Sequence, residues 1–185
     1  MGMPDTARRY TADEVLAFPD DGNRYELVDG ELFVTPAPAQ RHEIVLYRLA
    51  VPVYQYLASF PRVAQAFFSR GDVIWGPDEY VQPDLFVVPA HQVTGNWRDC
   101  KNLLLVAEIV SPSSARADRV RKRALYQRRG VATYWVVDID ARVVEIWRPD
   151  QDRPEMVTDL LRWRVTPDAD DLVIDVPSLF VELPA

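Results

Sequence analysis

Two acidic side chains stand where burial is costly. Asp84 follows Pro83 and leads straight into the apolar run Leu85-Phe86-Val87-Val88, and Glu108 interrupts the apolar run of residues 103–110. A carboxylate in a buried strand needs a cation beside it. Two carboxylates on neighbouring strands could chelate a hard divalent cation. Magnesium suits them, since it takes about one or two protein carboxylates and keeps other positions for water and phosphate oxygens. The next segment offers a second cation, Lys122. Its ammonium is a compact point charge, able to orient a water and offset charge developing at phosphorus. Acid, acid and lysine are together the parts of metal-assisted phosphodiester hydrolysis. The dipeptide Pro-Asp selects nothing by itself, because it also begins at Pro4, Pro19, Pro77, Pro149 and Pro167. Only Asp84 leads directly into an apolar strand with an acid-bearing strand downstream.

Lysine usage adds a second pointer. Lys101 and Lys122 are the only lysines among 21 basic residues, so an ammonium within an arginine-rich segment reflects either a chemical need or chance. Asp118, four positions before Lys122, is spaced for an ordinary helical ion pair with it. Tyr126, four positions after, lies on the same stripe and could orient the amine. Glu26 or Glu31 could supply a third acidic group, with Glu26 the stronger of two nearly level choices; the alternative is a surface pair with Arg24 or Arg41. His42, opening a helix, could contact a phosphate or a metal-bound water, though a lone histidine is more often structural. His91 and Cys100 read as incidental, and the five tryptophans read as core or interface residues.

These residues need elements to position them. Thr11 and Glu14 have capping-box spacing, predicting a short helix over residues 12–18. Asp29-Gly30 is a two-residue hairpin turn between strands 24–28 and 31–34, pairing Val28 with Glu31 and Glu26 with Phe33, so both glutamates share one face. Residues 40–60 carry a helical period through Ile44, Val45, Leu49, Val53 and Leu57, with a kink or a break expected at Pro52. Residues 62–75 read as one strand, 85–88 as a buried strand, and 89–102 as irregular. Residues 103–110 read as a central strand covered on both faces. A helix over 114–129 stops at Gly130. Strands at 134–138 and 143–148 follow, then an acidic tail with short strands near 160–165 and 172–176. The layout is α/β or α+β with a mixed sheet.

The whole chain bounds the reading. Its 185 residues and 48% hydrophobic content fit a single domain, residues 1–185, with residues 149–185 as an acidic C-terminal extension packed on it. No apolar run is long enough to span a bilayer, and the first residues lack an apolar signal segment, so a cytoplasmic protein without a membrane partner is expected. One cysteine excludes a disulfide framework and a thiolate metal cage. The net charge of −7 argues against bulk attraction to nucleic acid. Seven basic residues nevertheless crowd into positions 116–129, enough for a local basic face or simply a solvated helix surface. A two-carboxylate glycoside hydrolase fits poorly, since it leaves Lys122 without a task.

Taken in order, RYELVDGEL, a histidine opening a helix, VQPDLFVV, VAEIVSPSS, the Asp118-Lys122-Tyr126 spacing and GVATYWVVD resemble the Uma-type endonuclease family, a branch of the PD-(D/E)XK restriction-endonuclease-like superfamily. The match runs over roughly residues 10 to 148 and is specific as an ordered set. The resemblance implies a restriction-endonuclease-like mixed sheet flanked by helices. It implies Mg2+ or Mn2+ held by Asp84 and Glu108, and catalytic roles for Lys122, Glu108, Asp84, Glu26 and His42. It also implies DNA as substrate, with a homodimer as the simplest way to cut both strands. The plain superfamily signature puts its lysine two residues after the second acid, where this chain has Val110. The lysine is instead on the following helix, and its amine has to reach back to the same point. The rival expectation is a restriction-fold domain that binds nucleic acid or a protein partner without cutting.

Overall fold

The computed structural model describes residues 8–68, 71–110 and 117–184. Helix α1 (Ala12–Leu16) starts from a complete capping box between Thr11 and Glu14. The hairpin follows as β1 (Arg24–Val28) and β2 (Glu31–Thr35), with Val28 opposite Glu31 and Glu26 opposite Phe33, as the turn residues require. Asp29 and Gly30 both take positive φ in the turn. Helix α2 (Gln40–Leu57) runs through Pro52 as one helix rather than two. Its buried stripe of Val45, Leu49, Val53 and Leu57 holds it against the sheet on both sides of the proline.

The expected strand over 62–75 is two strands in two sheets: β3 (Ala64–Phe68) and β4 (Val73–Gly76). Between them Gly71 lies against the ring of the fully buried Phe86, so close that a Cβ would stand 2.6 Å from a ring carbon. Then come β5 (Glu79–Val81), β6 (Leu85–Pro89), two short 3-10 turns and β7 (Leu105–Val110). Residues 111–116, with Arg116 and the start of the helix expected over 114–129, lie outside the described residues. From Ala117 to Lys122 the chain is a π-helix, which passes into α3 (Arg123–Arg128). Strands β8 (Tyr134–Asp138), β9 (Val143–Trp147), β10 (Glu155–Val157), β11 (Leu160–Trp163) and β12 (Leu172–Asp175) follow, with a terminal turn of helix α4 (Val176–Leu179).

The central sheet has the order β10-β9-β8-β7-β6-β3 and is mixed, parallel only between β7 and β8. The segment between those strands holds the π-helix and α3, the crossover that a parallel pair requires. A second antiparallel sheet has the order β2-β1-β5-β4, and β11 pairs with β12 alone. Alternation along β7 divides the core. Leu105, Ala107 and Ile109 join α2 and the β11–β12 pair on one side, and Val106 and Val110 join Leu125, Tyr126 and Val28 on the other. Glu108 shares the parity of Val106 and Val110, and Asp84 that of Phe86 and Val88, so both acids lie on one face. Leu85 pairs with Ala107, which brings Asp84 opposite Glu108.

Candidate active site

A cavity of about 240 Å³ opens where the face carrying the acids meets the hairpin, the N-terminus of α2 and the π-helix. Its walls include Arg24, Glu26, His42, Asp84, Glu108, Asp118 and Lys122. All five residues expected from the sequence therefore share one cavity. Glu31 does not join them: it is exposed and lies 3.3 Å from Arg121 on the surface. Glu26 is the inward acid of the pair, buried to 1% exposure.

Lys122 is at the centre. Its side chain is 5% exposed, and Nζ lies 2.7 Å from Glu26 Oε2, 3.1 Å from Glu108 Oε1 and 3.2 Å from Asp118 Oδ1. Three carboxylates thus face the three N–H bonds of the ammonium. Burial works to lower the lysine pKa, but the charges of Glu108, Glu26 and Asp118 outweigh it and hold the amine charged, well above its ordinary value. Lys122 is here a fixed positive charge. The amine reaches back to Glu108 from the crossover, fulfilling the geometry the sequence demanded of it.

The hydroxyl of Tyr126 donates to Glu108 Oε1 at 2.8 Å. Tyr126 therefore orients the carboxylate, not the amine as its spacing alone suggested. Burial pushes the Glu108 carboxyl up, Lys122 pulls it down, and Asp84, Asp118 and Glu26 push it up again; the result lies well above the ordinary carboxylate range.

Asp84 behaves in the opposite way. Burial raises its pKa, but the hydrogen bond from His42, the charge of Arg24 and the Ile109 N–H hold it well below the ordinary range. Arg24 donates to Oδ1 at 2.8 Å, and Oδ2 accepts the Ile109 N–H at 2.9 Å and lies 3.1 Å from His42 Nε2. Burial lowers the His42 pKa, yet the bond and charge of Asp84 prevail and raise it. Arg24 also lines the cavity, where the sequence suggests it only as an alternative surface partner for one of the glutamates. Its signal was positional: it lies two residues before Glu26 on β1, hence on the same face.

Among the described residues no three acidic or histidine side chains are gathered as a ready metal cage, but the cavity walls carry carboxylate oxygens, donors of the kind a hard divalent cation takes. Four carboxylates, Glu26, Asp84, Glu108 and Asp118, face two cations, Arg24 and Lys122; the third lining cation, Arg41, pairs with Asp140.

Comparison with known proteins bears on the family and the fold. A family model described as "Putative restriction endonuclease", Uma2, matches residues 12–177. The fold resembles the crystal structure of a protein from Anabaena variabilis described as a "putative nuclease belonging to DUF820". The TM-score is 0.77 at 19% identity, covering 94% of this chain and 99% of that one. No curated protein matches the chain.

Proposed function

This chain belongs to the Uma2 family, and from that premise and the geometry of the cavity we propose that it is a divalent-metal-dependent endonuclease hydrolysing DNA phosphodiester bonds. One observation carries the reading. The Lys122 ammonium, arriving from the crossover, is seated 3.1 Å from Glu108 on the sheet face that also bears Asp84. Asp84 and Glu108 are the residues that would hold Mg2+ or Mn2+. Bound there, the cation would withdraw charge from the phosphate and make a water acidic enough to serve as nucleophile. Lys122, held charged, offsets negative charge developing at phosphorus, and Glu26 fixes its amine from the hairpin side. Glu26 is itself pinned, since its Oε1 accepts the Gln82 N–H at 2.8 Å. His42 holds Asp84 in orientation and lies at the N-terminus of α2, on the cavity wall. A homodimer would bring two such cavities to the two strands of a duplex.

A second reading, a restriction-fold domain that binds without cutting, is favoured by one specific observation: both oxygens of Asp84 already accept from Arg24, His42 and Ile109. The two readings separate cleanly. Purified protein should nick supercoiled DNA with magnesium or manganese, and Asp84→Ala and Lys122→Ala should each abolish it. Titration calorimetry should show one cation site that Asp84→Ala removes. Cleavage surviving both substitutions would refute the assignment, and absence of cation uptake would favour the binding-only reading.

A further inference from the structure

Eight residues separate Asp118 from Tyr126, and in a uniform α-helix side chains at i, i+4 and i+8 drift about 80° around the axis over that distance. Here Asp118, Lys122 and Tyr126 all turn to the same buried acid cluster: Asp118 Oδ1 and Glu108 Oε1 lie 3.2 and 3.1 Å from Lys122 Nζ, and the Tyr126 hydroxyl lies 2.8 Å from Glu108 Oε1. The wider turn from Ala117 to Lys122 is what allows it, because a π-helical turn rotates each residue less than an α-helical one. The turn is anchored from the sheet. The buried Tyr134 hydroxyl donates to the Asp118 carbonyl at 3.1 Å, and the Tyr134 and Tyr126 rings meet edge to face at 4.8 Å. A rare helix type, pinned by a buried hydroxyl, thus brings one particular carboxylate, 3% exposed, to the amine.

We propose that Asp118 is a positioning residue: with Glu26 it forms a two-carboxylate cradle that keeps the Lys122 ammonium seated independently of Glu108, leaving Glu108 free to serve a divalent cation without losing the amine. The inference rests on the metal reading above. Its logic is a matter of acceptors. Three acids serve three N–H bonds, and Glu108 is the member shared with the expected cation site and with Tyr126. When Glu108 is engaged elsewhere, Glu26 from the hairpin and Asp118 from the crossover still grip the amine from two sides. One N–H is then released toward the cavity, where a phosphate oxygen can take it. Asp118 touches the amine and acts through it.

The chain's two lysines make this testable without activity. In protein labelled with 13C at the lysine ε-carbon, two signals are expected, and Lys101→Arg assigns them. Magnesium should shift the Lys122 signal of the wild type while leaving it distinct from a solvated lysine. In Asp118→Asn, which keeps the side-chain volume, magnesium should instead move that signal to the position of a solvated lysine. DNA nicking should fall about 100-fold, the scale of an ångström-sized misplacement. Glu26→Gln removes the other arm of the cradle and should behave alike, which keeps the test alive should one variant fail to fold. A magnesium-induced shift that a folded cradle variant reproduces in full overturns the inference and leaves the metal reading standing. No shift in the wild type overturns both.

Discussion

Replacing Lys122 by methionine keeps most of the side-chain volume and removes only the charge. Glu26, Glu108 and Asp118 would then face one another across a buried space with no cation among them. Removing one partner from a buried ionic set costs about 3–5 kcal/mol, because the charges left behind are neither solvated nor paired. For a domain of this size each kcal/mol lowers Tm by about 2–4 °C, so the loss near pH 7 is about 6–20 °C. The pH dependence has a definite sign. Glu108 is already raised well above its ordinary value, and removing Lys122 takes away the influence that lowers it. A carboxyl raised in the folded state binds more protons folded than unfolded, so stability falls as pH rises between the unfolded and folded values. The deficit relative to wild type should therefore shrink on acidification from about pH 7 toward the ordinary carboxylate range. Magnesium should recover part of it by occupying the acid cluster. Thermal denaturation followed by circular dichroism, across pH and with or without magnesium, reads all three effects. A variant that melts within about 2 °C of wild type throughout would show that the amine does not bind the cluster together, and the reasoning would fail.

Tyr126→Phe removes the hydroxyl that donates to Glu108 Oε1 and should cost about 1–3 kcal/mol, measured by chemical denaturation, since a buried carboxylate loses a donor. Gly71→Ala should cost at least about 1–3 kcal/mol by the same measure, because its Cβ would meet the Phe86 ring at 2.6 Å and the fully buried ring has nowhere to retreat. Cys100 is buried, and burial raises its thiol pKa. Its alkylation should be slow in native protein and fast in denaturant; rapid native labelling would contradict the packing.

Much of the fold was legible because its signals are local. The hairpin register follows from Asp29-Gly30 alone, and α1 from the Thr11–Glu14 pair. Gly71 shows where local signals end. Nothing near it in the sequence reports that the ring of Phe86 passes beside it, and the change of sheet between β3 and β4 occurs around that contact. At Pro52 the sequence left a kink or a break open, and tertiary burial on both sides of it decides for one helix.

The site was legible in its acids and lysine and obscure in the way they are held. Alternation put Glu26 and Glu31 on one face, yet only position along the hairpin separates them: Glu26 comes under the crossover and Glu31 reaches the rim beside Arg121. Arg24 reads from the sequence only as an alternative surface partner for a glutamate, although its two-residue offset from Glu26 puts it on the inner face, where it donates to Asp84. The side on which Asp118 falls relative to Tyr126 follows from the π-helix, which no residue pattern announces, since its hydrogen bonds differ from those of an α-helix by a single residue. A strict α-helix would have put Asp118 and Tyr126 on different sides of the lysine. The widened turn is thus what converts a D-x-x-x-K-x-x-x-Y spacing, unremarkable as a helical stripe, into a buried charge cluster with one shared centre.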